Sequence, residues 1–219
     1  MKWQHVLPIL IFAVVNPNAS TNAAPVLWPL EKGGNGHFYE PVAVRTTITW
    51  YEAYTAAKLA GGYLVTITSQ KEQDFVDGLV DDDIYWSTDS SGSYGPWIGG
   101  FQLPGSPEPE EGWHWIKDEP LTYTNWGKDQ PNNLWGTEHC IHLGSYDTER
   151  TAIIWNDLTA DVTNIRGYVI EYSGYCHEAF VGDLNDDCKI DLLDFAIMAE
   201  NWLNDCNSLF PQDNLARVN

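Results

Sequence analysis

"TTITWYEAYTAAKLAGGYLVTITSQKEQDFVDGLV", residues 46–80, decides the architecture. Thr49 suits a helix cap, the alanine-rich run after it suits a helix, and Gly61 and Gly62 stop it. "YLVTIT" alternates β-branched residues and reads as a strand. "SQKEQDFVDGLV" follows as a second helix, with Ser69 and Glu72 as a capping box and Phe75, Val76 and Val80 as its buried stripe. Helix, strand and helix in so short a span predict an α+β domain.

Working outward, "NGHFYEPVAV" (35–44) reads as an opening strand, and "EHCIHLG", "TAIIWND" and "GYVIEYS" as three closing strands. Between residues 95 and 137 helix signals vanish. Prolines 104, 107, 109, 120 and 131 break the chain there, so the segment reads as long loops with brief strands, ordered by its tryptophans.

The chain has 219 residues, 31 acids against 11 bases and a formal charge of −20. That balance excludes a basic footprint for nucleic acid and favours divalent cations. Lys2, the apolar "VLPILIFAVV" and the small residues of "STNAAP" read as a signal peptide over residues 1–23, too short for a membrane span. A secreted, extracellular or cell-surface protein is therefore expected, with cysteines free to pair.

"DQPNNLWGTEHC" (129–140) gathers oxygen-bearing side chains around a proline. The motif order "TW…A…GG-LVTI", "WIGG", "GWHW", "YTNW", "QPNN", "E-x-C", "WND" and "YVIEY" resembles the C-type lectin-like domain over residues 34–173. The resemblance implies that fold, with two helices, small antiparallel sheets and a long ordered loop region. It also implies a calcium ion held by Gln130, Asn132, Glu138, Asn156 and Asp157, on which a sugar would sit, with Pro131 in the cis form. Calcium takes about 6–8 hard oxygen ligands, and these amides and carboxylates supply that chemistry. Trp135 would stack on a sugar face or anchor the loop. The Gln-Pro-Asn order mixes the family's mannose-like and galactose-like patterns, leaving the sugar open. Asn133 and His139 stand where a second lectin-type ion would want acids, so one such ion is expected.

The family's disulfide positions correspond to Ala57 and Ile170, and Cys140 faces Ala160 in place of a partner, which suits a bacterial version of the fold. Apolar packing should replace those bridges. After a linker at 174–182, "DLNDDCKIDLLD" (183–194) has EF-hand spacing, with Asp183, Asn185, Asp187, Lys189 (through its carbonyl), Asp191 and Asp194 as a second calcium set. It resembles half of a dockerin over 183–206, with 207–219 as a tail, and a cohesin-like protein is the partner this would imply. The following helix, residues 192–203, rises about 17 Å, which separates Cys188 from Cys206 and favours a Cys176–Cys206 bridge.

No nucleophile elbow, H-E-x-x-H or phosphate loop is present. His139 and His142 flank Cys140 on opposite faces of a strand. The reading is a non-enzymatic, calcium-dependent carbohydrate-binding protein with about two Ca2+ ions. The alternatives are a protein-binding or adhesion module on the same frame, and an accessory subunit of a polysaccharide-degrading assembly.

Overall fold

The structure, a computed structural model, describes residues 23–103 and 105–173, the backbone of 19–20, and residue 195. The signal peptide, the linker, the Cys176–Cys206 bridge and the calcium loop of Asp183, Asn185, Asp187, Lys189, Asp191 and Asp194 lie outside the described residues.

In chain order the strands are β1 (Ala19–Ser20), β2 (Val26–Leu27), β3 (Phe38–Val44), β4 (Tyr63–Leu64), β5 (Ser87–Asp89), β6 (Gly92–Gln102), β7 (Trp113–Trp115), β8 (Cys140–Ser145), β9 (Ile154–Leu158) and β10 (Gly167–Tyr172). The helices are α1 (Trp50–Leu59) and α2 (Gln70–Leu79). One mixed sheet runs β1-β3-β10-β6-β8-β9, where small antiparallel sheets were expected, because β10 meets β6 in parallel. The start and end of the domain close on each other, with Phe38 opposite Tyr172 and Ala43 opposite Gly167.

α1 is capped as a reciprocal box. Thr49 accepts from the Glu52 N–H, and the Glu52 carboxylate accepts from the Thr49 N–H at 2.9 Å. Its buried face is Trp50, Ala53 and Ala57, small enough beyond the tryptophan to bring the helix close to the sheet. The box expected at α2 is only half made. Ser69 accepts from the Glu72 N–H, but the Glu72 carboxylate accepts from the Thr68 N–H at 2.7 Å and from Tyr39 Oη at 2.5 Å. Pulled inward, Glu72 joins Gln73, Val76 and Val80 on the buried side. Only Tyr63–Leu64 of "YLVTIT" pairs as strand, since the Glu171 carboxylate takes the Thr66 N–H at 2.9 Å.

The segment from 95 onward departs most from expectation. β6 is the longest strand and lies centrally in the sheet. Pro96 is tolerated because it falls where the register against β8 shifts, between Tyr94 and Trp97, so the ladder is already interrupted there. Gly100 lets β6 approach β8, because a Cβ there would lie 2.3 Å from Ile141 Cδ1.

Alternation then sorts the core onto two faces. On one, α2 covers Ile98, Ile141, Leu143, Trp155 and Val169. Trp155 sits amid Trp115, Tyr123 and Trp126, edge to face at centroid distances of 5.4, 5.7 and 5.8 Å. On the other, α1 covers Trp97, Cys140, Leu158 and Ile170. Ala57, Ile170 and Cys140 share that cluster with Ala160 packed against it, so packing fills the expected bridge positions. Among the described residues no helix is long and apolar enough to cross a membrane. Gly100→Ala should lower stability by about 1–3 kcal/mol through overpacking against Ile141, read as a shift in urea midpoint at unchanged slope.

Candidate functional site

The loop after Lys128 is shaped by its backbone. Gln130–Pro131 is cis, as expected, and Asp129, Asn133 and Trp135 have positive φ. Asn and Asp accept that region because their short polar side chains bond locally. Here the Asn133 side-chain oxygen accepts from the Glu138 N–H at 3.1 Å, and its carbonyl from the Gly136 N–H at 2.8 Å. A small closed turn results, with Trp135 at its tip and 88% exposed.

Strand β9 anchors this turn. The wholly buried Asp157 accepts from the Asn132 N–H at 3.0 Å and from the Asn133 N–H at 2.7 Å. Burial pushes its carboxyl up, against the pull of those two amides. Gln130, Asn132, Glu138 and Asn156 line one cavity of about 240 Å³. Four of the five expected ligands therefore converge. Asp157 is not among the lining residues; its carboxylate is spent on the loop backbone. Trp135 does not line the cavity either, while Leu134 does.

The polar atoms fit a hard cation. Gln130 Oε1 is buried with no hydrogen-bond partner, a carbonyl oxygen left for a donor or a metal. An unsatisfied buried acceptor costs about 1–3 kcal/mol, which a bound ion would offset. Glu138 Oε2 accepts from the Leu134 N–H at 2.9 Å, yet burial and the nearby Asp157 push its carboxyl up to about 7. Among the described residues no three His, Cys, Asp or Glu side chains gather at one point, so the set is amide-rich rather than a soft-metal cluster.

His142, noted in the sequence only as a neighbour of Cys140, also lines this cavity. His142 lies opposite Asn156 across β8 and β9, on the face away from Trp155. Its Nδ1 is 2.6 Å from the Leu143 carbonyl, so the proton sits there and Nε2 is left as an acceptor. Asn156 Nδ2 donates to that Nε2 at 3.1 Å and to the Asp157 carbonyl at 2.7 Å. The amide is thereby turned with Oδ1 as the end left for a ligand. Full burial pulls the imidazole down to about 4, so it keeps this role at neutral pH. The period-2 alternation from Cys140 could have revealed it. His139, on the other face, reaches Gln102 Oε1 at 3.1 Å. Cys140 is buried and its thiol is pushed up to about 12, which makes it unreactive.

A calcium ion held by this set would compete with the proton for the Glu138 carboxylate, so its affinity should fall about tenfold per pH unit on acidification below about 7. Without an ion, a carboxyl raised by folding stabilises the fold below its unfolded value and loses that stability as pH rises through about 7. The gain in Tm on adding calcium should therefore be larger at about pH 8 than at about pH 5. His142→Leu should weaken calcium binding by about 10–100-fold with the fold retained, measured by calorimetry and circular dichroism.

The Lectin C-type domain family matches residues 46–165. A perlucin-like protein of Mytilus galloprovincialis is 29% identical over 168 residues, 75% of this chain and 94% of that protein. C-type mannose receptor 2 of Mus musculus is 36% identical over 96 residues, 44% of this chain but 6% of the receptor. Ladderlectin of Oncorhynchus mykiss is 30% identical over 115 residues, 52% of this chain and 53% of that protein. Among solved structures, the cow C-type carbohydrate-recognition domain of CD23 superposes with a TM-score of 0.49 at 24% identity, covering 72% of this chain and 99% of that one. A match over more than half of the chain, on a fold of two helices and a mixed sheet, makes this protein a member of the C-type lectin domain family.

Proposed function

We propose that the chain binds carbohydrate through a calcium ion held by Gln130, Asn132, Glu138 and Asn156. The observation that carries this reading is the buried, partnerless Gln130 Oε1 sharing a cavity with the desolvated Glu138 carboxylate. The match to the Lectin C-type domain family and the similarity to ladderlectin support the same reading. A bound calcium ion supplies open coordination positions for two adjacent sugar hydroxyls. The chain's own groups do the rest. Glu138 accepts a hydrogen bond from a sugar hydroxyl, Asn132 offers amide donors from an exposed position, and Leu134 and Leu158 meet the C–H face of the ring. Asp157 and His142 hold the donors still rather than touch sugar. Trp135, exposed at the loop tip, would stack on a further face.

The same proposal extends to secretion of the chain and to a second ion in the loop from Asp183 to Asp194, with a cohesin-like protein as the partner of that segment. Calorimetric titration should count about two ions per chain, and Asp183→Ala with Asp187→Ala should remove one. Glycan-array binding should vanish in chelator. It should also vanish in Asn132→Ala and Asn156→Ala variants that keep the wild-type circular dichroism. Binding that survives chelator and both substitutions sinks the site. In that event a protein ligand on the same fold becomes the reading, tested by pull-down in the same buffers.

A further inference from the structure

We infer that the cavity is a groove with a second compartment, built by the β5–β6 hairpin, which takes the next sugar residue of the saccharide held at the cation site. The ligand would then be a disaccharide or longer rather than a single terminal sugar. This inference rests on the carbohydrate reading above.

The cavity does not end at the ligand side chains. It continues over Gly144 and Ile154 to Tyr94, Ser91 and Tyr146. That far wall is fixed. The hairpin pairs with β8 at Ser93–Ser145 and Tyr94–Gly144, and Ser93 Oγ donates to the Asp147 carbonyl at 3.0 Å. A Cβ on Gly92 would lie 2.4 Å from the Ser145 carbonyl oxygen, so the two segments are pressed together. Tyr94 is held parallel to the buried His142 ring at 5.9 Å. The Tyr146 ring is more than half exposed, yet its hydroxyl is tied to the Lys128 carbonyl at 2.5 Å.

The wall therefore offers two immobilised aromatic rings, a half-buried isoleucine and an exposed serine hydroxyl. Apolar faces edged by hydroxyl partners match a pyranose, which presents C–H on its faces and O–H on its rim. Fixed rings also cost little conformational entropy on binding. Size sets the limit. The whole cavity, cation site included, is about 240 Å³, below the about 300–1,000 Å³ of pockets for drug-sized ligands, so the compartment takes no more than one small polar unit. Gly144 keeps the floor open. A Cβ there would meet His142 Cε1 at 3.3 Å and Ile154 Cδ1 at 3.4 Å, so a methyl fits with slight adjustment and a larger side chain would occupy the compartment.

The test uses calorimetry on the full chain in excess calcium. The probes are methyl α-mannoside with α-1,2-mannobiose, and methyl β-galactoside with β-1,4-galactobiose. For whichever class binds, the disaccharide should bind at least about tenfold tighter than its monosaccharide. Gly144→Leu and Tyr146→Ala should reduce that ratio to within about twofold, with the calcium titration unchanged; Tyr146→Ala covers the case in which the leucine disturbs folding. A ratio near one in the wild type, or a ratio that survives both substitutions, overturns the groove and leaves the cation site standing. If no probe binds with calcium present, the carbohydrate reading fails and the groove fails with it.

Discussion

Two backbone N–H groups bonded to one buried carboxylate hold this site together. Asp157 sits on β9 with no solvent exposure and accepts from Asn132 and Asn133, so a loop with three non-glycine residues at positive φ is pinned to the sheet. Hydrogen bonds to a charged group contribute about 1.5–3 kcal/mol each, enough to offset the cost of such backbone conformations. Gln130, Asn132 and Glu138 then reach the strand that carries Asn156. Without that clamp the loop would present the same residues with no common focus.

The clamp works because β9 is itself rigid. Trp155, the residue before Asn156, is wholly buried among three aromatic rings, and its Nε1 donates to Gln73 Oε1 on α2 at 2.7 Å. Trp155 and Asp157 thus fix one face of β9 against the core and the loop, while Asn156 on the opposite face lines the cavity. The period of two along a strand leaves no freedom between them. His142 extends the same logic across β8. This histidine is fully buried, neutral and occupied at both nitrogens, and it decides which end of an amide faces the cavity.

Stability without the family's bridges follows from close approach. Ala57 on α1, Ile170 on β10 and Cys140 on β8 lie in one cluster, and Gly62 passes so near Ile170 that a Cβ would come within 2.5 Å of it. Burial of aromatic and aliphatic surface, at roughly 25 cal/mol per Å², replaces what cross-links would add by restricting the unfolded chain. The lone thiol in that cluster packs as a small apolar group.

Local chemistry carried much of the reading. The Thr49 cap, the two helices, the three closing strands and the cis Gln130–Pro131 bond could be read from residues 46–80 and 129–172, because caps, periodicity and X-Pro bonds are short-range effects. That Gln130, Asn132, Glu138 and Asn156 would share one cavity was legible for the same reason: their residue types and spacing state their chemistry. The rest was decided at long range. Glu72 left its capping box for Tyr39, 33 residues away, because a buried hydroxyl competed for the carboxylate. The proline-broken segment became the long strand β6 because a register shift against β8 absorbed Pro96. Asp157 became a backbone clamp and His142 an amide orienter because strand pairing brought distant partners within hydrogen-bond reach. Sequence by itself determined which groups could ligate; the tertiary structure decided which of them face one another, since burial and pairing depend on neighbours far away in the chain.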